Sequence, residues 1–233
     1  CIRDSCSILL LFCLQNTVLL QAQTANTKIA AGLMQGHTTE NSTTVWLMTQ
    51  YAQKVNLDLY DLNNSEALEK KELVINRNDW VDGYFPCLFT FENLEANTTY
   101  AINIKLNDVF IETQKIKTFH KNNYEDFSFL VGSCSKVADN FFEYWSQPGV
   151  NNLAFKKMRK ADADFNIWIG DNSYLRKDDF ESTANMTRRH IHTRLHKPVN
   201  KLIKKRPNYA TWDDHDYCLL YTSPSPETCG HLV

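Results

Sequence analysis

Two short apolar runs in the second half of the chain each end in a knot of polar, mostly acidic residues. Phe165-Asn166-Ile167-Trp168-Ile169 runs into Gly170-Asp171-Asn172-Ser173-Tyr174, and Tyr209-Ala210-Thr211-Trp212 runs into Asp213-Asp214-His215-Asp216. Apolar runs of this length, bounded by turn residues, read as strands. Open α/β sheets bind ligands at the carboxyl ends of their strands, which is where both knots fall. Three carboxylates around one histidine repel one another unless positive charge sits among them. Hard cations take oxygen ligands and imidazole suits borderline ones, so a metal-dependent hydrolase is the first functional expectation. The plainer reading is a pair of solvated acidic loops at a sheet edge.

The rhythm along the chain divides it in two. Over 28–120 it is all-β, with short alternating runs at Thr44–Met48, Lys54–Tyr60, Pro86–Phe91 and Tyr100–Leu106, separated by turn-forming Asn, Asp and Gly. Val55, Leu57 and Leu59 alternate with Lys54, Asn56 and Asp58, the period of a half-buried strand. The stretch from Leu94 to Tyr100 looks like the tyrosine corner of a sandwich domain, similar to the fibronectin type III pattern. Over 125–217 the order changes to strand, helix, strand, helix, strand, which predicts a parallel sheet. Its strands end at Gly132-Ser133-Cys134 and at the two knots. Its helices are expected over 151–160, 178–195 and 197–205, the last opened by Pro198.

Composition narrows the function classes. Of the 233 residues 43% are apolar and 22% charged, enough for a real core, and the net charge of -2 argues against a nucleic-acid partner. The basic run from Lys201 to Arg206 reads as a solvated helix end. The chain opens on Cys1, so its natural start is expected upstream. Ile8–Leu14 has the length of a leader core and small residues follow, which predicts a signal peptide over 1–24. Sequons at Asn41, Asn63, Asn97 and Asn185 fit a secreted glycoprotein. Only Cys87 and Cys134 of the seven cysteines lie in the body, so no disulfide framework is expected. Residues 218–233 have no periodicity, and Leu219–Pro226 resembles translated adapter sequence, so this tail reads as non-native.

Taken in order after a β-sandwich, Gly-Ser-Cys, Gly-Asp-x-x-Tyr and Trp-Asp-Asp-His-Asp resemble the PhoD-like alkaline phosphatases of the metallophosphatase superfamily. The resemblance covers most of the chain; the motifs are specific together and weak singly. It implies a β-sandwich (fibronectin type III-like) amino-terminal domain followed by an incomplete α/β metallophosphatase domain. It also implies a mixed iron and calcium site, which the residue types alone permit without fixing. Carried onto these positions, Asp171 bridges cations and Asp214 is a ligand. Tyr174 supplies a phenolate, which needs strong local charge because free tyrosine titrates near about 10. Cys134 supplies a thiolate, which a coordinating metal enforces. Asp213 is a further ligand or orients His215. His215 serves the leaving oxygen as acid or charge stabiliser, and Asn172 hydrogen-bonds phosphate. The implied reaction is hydrolysis of a small phosphate mono- or diester by water activated at the metals, attacking in line.

Other readings stay open. Cys134 also suits a small buried apolar position and Tyr174 a packing aromatic. His192 and His196 share a helix face at a zinc-compatible spacing but lack a third ligand, so with His190 they read as surface residues. Trp168 and Trp212 read as core. A secreted calcium-binding or partner-binding module without catalysis is the alternative function, and a phospholipase-type diesterase is another. The superfamily places further His and Asp ligands downstream. The chain is therefore expected to be a fragment, inactive alone, with an uncovered sheet edge and apolar face. Nothing in the sequence specifies membrane attachment.

Overall fold

A computed structural model describes residues 27–121, 126–139, 143 and 153–217. The predicted signal peptide and the tail 218–233 lie outside the described residues. Seven strands come first: β1 (Lys28–Thr38), β2 (Thr43–Gln50), β3 (Lys54–Asp61), β4 (Glu69–Val74), β5 (Tyr84–Phe91), β6 (Thr99–Leu106) and β7 (Val109–Lys117). They form two antiparallel sheets, β1-β2-β5 and β4-β3-β6-β7. Alternation drives the pairing. In β6 Tyr100, Ile102, Ile104 and Leu106 all point inward, as do Val55, Leu57 and Leu59 of β3. They meet Val45, Leu47, Cys87, Phe89 and Phe91 from the other sheet in one core. Full burial of each such side chain contributes roughly 1.5–3 kcal/mol. Asp58 breaks the expected outward pattern of β3: it is buried, and Lys105 Nζ reaches its carboxylate at 2.7 Å.

The runs read from the sequence are β2, β3, β5 and β6; β1, β4 and β7 escaped that reading. β4 and β7 are the edges of the four-stranded sheet, and their charged, largely exposed sequences protect those edges rather than announce a core. The tyrosine corner is present: the hydroxyl of buried Tyr100 accepts the Glu95 N–H at 2.7 Å.

The rest of the described chain holds β8 (Phe129–Gly132), α1 (Leu153–Lys160), β9 (Phe165–Ile169), α2 (Thr183–Leu195), α3 (Lys197–Ile203), β10 (Asn208–Thr211) and the single turn α4 (Asp214–Tyr217). β8, β9 and β10 pair in parallel, in that order. Gly132 lies opposite Trp168, and Thr211 opposite Ile169, so the three strands end within a residue of one another. One sheet face is covered: Trp168 packs with Phe155, Val199, Leu202 and Ile203. Beneath them Asn208 Oδ1 accepts bonds from Asn166 Nδ2 and Trp168 Nε1, both 3.0 Å. On the other face Phe129, Val131 and Ile169 stay about half exposed. Among the described residues nothing covers them, although parallel sheets are ordinarily covered on both sides.

Three sequence expectations change. The helix over 178–195 is interrupted: a 3-10 turn, Lys177–Glu181, precedes α2, and the extended backbone of Ser182 separates them. Ser182 is the N-cap of α2, its hydroxyl accepting the Asn185 N–H, and this local competition outweighed helical patterning. Trp212 is 66% exposed, not core, because β10 ends one residue before it. Arg206 is not a solvated helix end; it is buried and donates to the Ala161 carbonyl at 2.7 Å.

The two parts are joined by side chains from the helical layer. Asn200 of α3 accepts the Gly32 N–H and donates to the Ala30 carbonyl, at 3.2 and 3.1 Å, satisfying the exposed ladder of β1. Tyr209 of β10 donates to the Thr38 carbonyl at 3.1 Å. Ile191 of α2 closes over Ala31 and Met48. β2 is thus covered on both sides, which is why its burial does not alternate cleanly. No helix among the described residues is long and apolar enough to cross a membrane.

Tyr100→Phe removes the only acceptor that the tyrosine corner offers the Glu95 amide. Urea unfolding should show a loss of about 1–3 kcal/mol with an unchanged slope. No loss would mean that the corner is ornamental.

Candidate metal centre

Level strand ends bring three loops to one edge of the parallel sheet, and backbone bonds lace them together. The Ser135 N–H donates to the Asp171 carbonyl at 2.8 Å, and the Leu175 N–H to the His215 carbonyl at 3.0 Å. Directly after β8 and β9 the chain turns left-handed, with φ of 55° at Cys134, 95° at Gly170 and 54° at Asp171. Such turns are uncommon outside glycine, Asn and Asp, and they collect at functional sites. Position 170 takes no side chain, since a Cβ there would lie 2.5 Å from the Asp213 Cβ.

Asp171 is the centre of the arrangement and is only 7% exposed. Its Oδ2 accepts the Tyr174 hydroxyl at 3.1 Å and the Cys134 thiol at 3.4 Å. Its Oδ1 is buried without a hydrogen bond and lies 3.3 Å from His215 Nδ1. The same Nδ1 is 3.2 Å from Asp214 Oδ1. The imidazole also packs against the Tyr174 ring, centroids 4.4 Å apart. Asp171, Asp214 and His215 each present a ligand atom, all within 4.8 Å of one another. Cys134 and Tyr174 join this group through Asp171.

One imidazole nitrogen cannot satisfy two carboxylates and leave no oxygen orphaned. A buried acceptor without a partner is costly, and a cation removes the cost. Tyr174 tells the same story from the donor side. Burial first, then hydrogen bonding with Cys134 and Asp171, push its phenol far above the ordinary tyrosine value, so it stays protonated here unless strong positive charge arrives. Thiol, phenol, imidazole and two carboxylates form a donor set that fits a cation with mixed hard and soft tastes.

Two residues expected at this site are engaged in holding it. The Asn172 amide donates to the Thr211 carbonyl at 2.7 Å and to Asp216 Oδ2 at 3.2 Å, so its NH₂ is turned toward the protein. Exposed Asp213 stands outside the three-residue group, and its Oδ1 accepts the Asp214 N–H at 2.9 Å.

Asp216 is the residue whose role sequence reasoning missed. It is 3% exposed and accepts the N–H groups of Ser173, at 2.9 Å, and of Asp213, at 3.1 Å, besides the Asn172 amide. Its carboxylate therefore clamps the loop after β9 to the loop after β10. The readable signal was the Asp-x-x-Asp spacing, in which the third helical residue reaches back to the cap amide. Arg194 of α2 supports the clamp, donating to the Asn172 carbonyl at 3.3 Å, while the Asp216 charge partly offsets the desolvation of its guanidinium. His190, expected at the surface, is half-buried beside Asp216, and burial followed by the Arg194 charge lowers its pKa. His196 is lowered by burial and then by His192. His192 and His196 recruit no third ligand among the described residues.

A second network fixes the Cys134 loop from outside. Buried Glu143 accepts the Asp139 N–H at 2.8 Å and both carboxylate oxygens receive Arg176, at 3.1 and 3.2 Å. Arg176 also pairs with Asp139, and Arg189 of α2 bridges Asp139 and Asp179. Since Arg176 lies two residues past Tyr174, this network spans the loops that carry Cys134 and Tyr174.

Among solved structures, one of PhoD aligns with 82% of this chain at a TM-score of 0.62 and 17% identity. At that identity the likeness is one of fold, and the chain spans 40% of that structure's length. The RsgI4 sensor domain of Pseudobacteroides cellulosolvens aligns with 43% of this chain and 96% of its own, at a TM-score of 0.34 and 16% identity. The FN5 domain of Drosophila Lar aligns with 38% and 92%, at 0.27 and 14%. These two are too loose to carry weight. No protein-family model matches the chain, and no curated protein matches it in sequence.

The Asp139 amide, Arg176 and Lys136 hold the Glu143 carboxyl below its ordinary 4.5. A depressed folded-state value contributes stability above the unfolded value, and that contribution is lost as pH falls through the folded one. Glu143→Gln should therefore unfold at lower urea at neutral pH, with the gap to the wild type closing as pH drops below about 4.5. A gap independent of pH would mean that the ion pairs are not its source.

Proposed function

We propose that this chain forms the amino-terminal part of a PhoD-like, metal-dependent hydrolase of small phosphate mono- or diesters. The observation that carries the reading is the orphaned Asp171 Oδ1, held against His215 and Asp214 while the other oxygen gathers Tyr174 and Cys134. The PhoD-like fold supports it, as does the order of the three motifs. Asp171 and Asp214 offer carboxylate oxygens for calcium. Cys134 and Tyr174 would offer the thiolate and phenolate that suit ferric iron, beside Asp171. Cations bound there would neutralise a phosphoryl group and make water acidic enough to attack it, so no serine nucleophile is needed.

The protein's own groups have separate tasks. Asp214 orients the His215 ring through Nδ1, which leaves Nε2 to give a proton to a departing oxygen. Packing against Tyr174 holds that ring in place. Asp213 steadies the backbone of Asp214. Asn172, with its amide nitrogen bonded inward, meets phosphate only through a rearranged side chain. Export belongs to the same proposal: the leader-like run precedes the fold, and the sequon residues Asn41, Asn63 and Asn97 are exposed.

The test is cation binding followed by turnover. The chain should bind calcium and ferric iron, the latter with a visible thiolate- or phenolate-to-iron absorption, and Asp171→Asn should weaken binding by roughly 10–100-fold. Because it spans 40% of the PhoD structure, little turnover of either ester type is expected from it alone. Calcium binding without iron colour would favour a secreted calcium-binding module instead. Binding untouched by Asp171→Asn would end the metal-centre reading.

A further inference from the structure

A second charged feature lies away from the strand-end loops. The helices α1 and α3 pack side by side over the covered sheet face, through Phe155, Val199, Leu202 and Ile203. Their outer surfaces form a cleft of about 570 Å³. Its walls carry Lys156, Lys157, Arg159 and Lys160 from α1, and Lys197 and Lys201 from α3. All six side chains are exposed. None makes an ion pair among the described residues, and no acidic side chain lines the cleft there. Of the nearest acids in sequence, Asp164 accepts the Ser128 N–H at 2.8 Å.

Six uncompensated cations in a chain of net charge -2 are a concentrated local field. Lysines one turn apart, Lys156 with Lys160 and Lys197 with Lys201, stand about 6 Å apart along each helix axis, and packed helices lie roughly 8–10 Å apart. A line of repeated anionic groups laid in the groove meets cations on both sides.

We propose that the α1–α3 groove binds a linear sulfated polysaccharide. The lining favours this polyanion over others. Among the described residues no aromatic side chain lines the cleft to stack the bases of a single-stranded nucleic acid. Among the described residues Leu153 is the one large apolar side chain exposed there, too little to insert into a lipid surface. Basic clusters of this size serve polyanions of both kinds, nucleic acids and sulfated glycans, so the missing stacking surface decides between them. This groove stands apart from the carboxylate centre, so the proposal survives or fails independently of the hydrolase reading.

The test uses the whole chain and a fluorescently labelled heparin octasaccharide, with binding read by anisotropy. A single-stranded oligonucleotide of equal charge and phosphatidylserine vesicles serve as the comparison arms. Heparin should bind with an affinity that falls steeply with salt, and more tightly than either comparison. Lys156→Glu with Lys201→Glu should weaken it by about tenfold or more. Lys70→Glu with Lys115→Glu, on exposed unpaired positions of the sandwich, should change it little. Lys157→Gln with Lys160→Gln keeps helix propensity and should weaken binding in proportion, so a misfolded double reversal does not end the test. Tighter binding to the oligonucleotide or the vesicles, or equal losses from groove and sandwich variants, overturns the proposal.

Discussion

The carboxylate of Asp171 is where the demands of the second half of the chain meet. It is buried, it takes a phenol and a thiol on one oxygen, and it leaves the other facing an imidazole that Asp214 also claims. A buried carboxylate tolerates that company only where charge can be balanced. The site is thus poised for a cation by its own electrostatics, and no remote effect has to be invoked.

The fold delivers Asp171 to that place by ordinary means. Three parallel strands in register end level, so their loops share one edge. Left-handed residues turn Cys134 and Asp171 into that edge, and the bare Cα of Gly170 lets Asp213 come close. Asp216 then locks two of the loops, and the network around Glu143 and Arg176 steadies the third. The sandwich holds the helical layer in position through Asn200, Tyr209 and the contact of Ile191 with Met48. Among the described residues the other sheet face, with half-exposed Phe129, Val131 and Ile169, has no such layer.

Much of this was legible in the sequence because two periods are hard to hide. Alternation in β3 and β6 announced the sandwich, and apolar runs ending in acid knots announced β9 and β10 and the carboxylates beyond them. Edge strands escaped because their outward charges mask the alternation, as in β4. Trp212 was misjudged because hydrophobicity says nothing of where a strand stops. Asp216 and Asn172 show a deeper limit. The sequence suggests a phosphate contact for Asn172 and no role for Asp216, and only the folded geometry shows both bonded inward as clamps. The basic groove was equally invisible, since its lysines come from segments some forty residues apart.

The most direct test of the account is anomalous diffraction from crystals of this chain grown with iron and calcium. A cation is expected at Asp171 and Asp214, beside His215, with Cys134 and Tyr174 drawn toward it and the orphaned Asp171 oxygen satisfied. Anomalous density only elsewhere, with Asp171 Oδ1 still facing His215 alone, would contradict it.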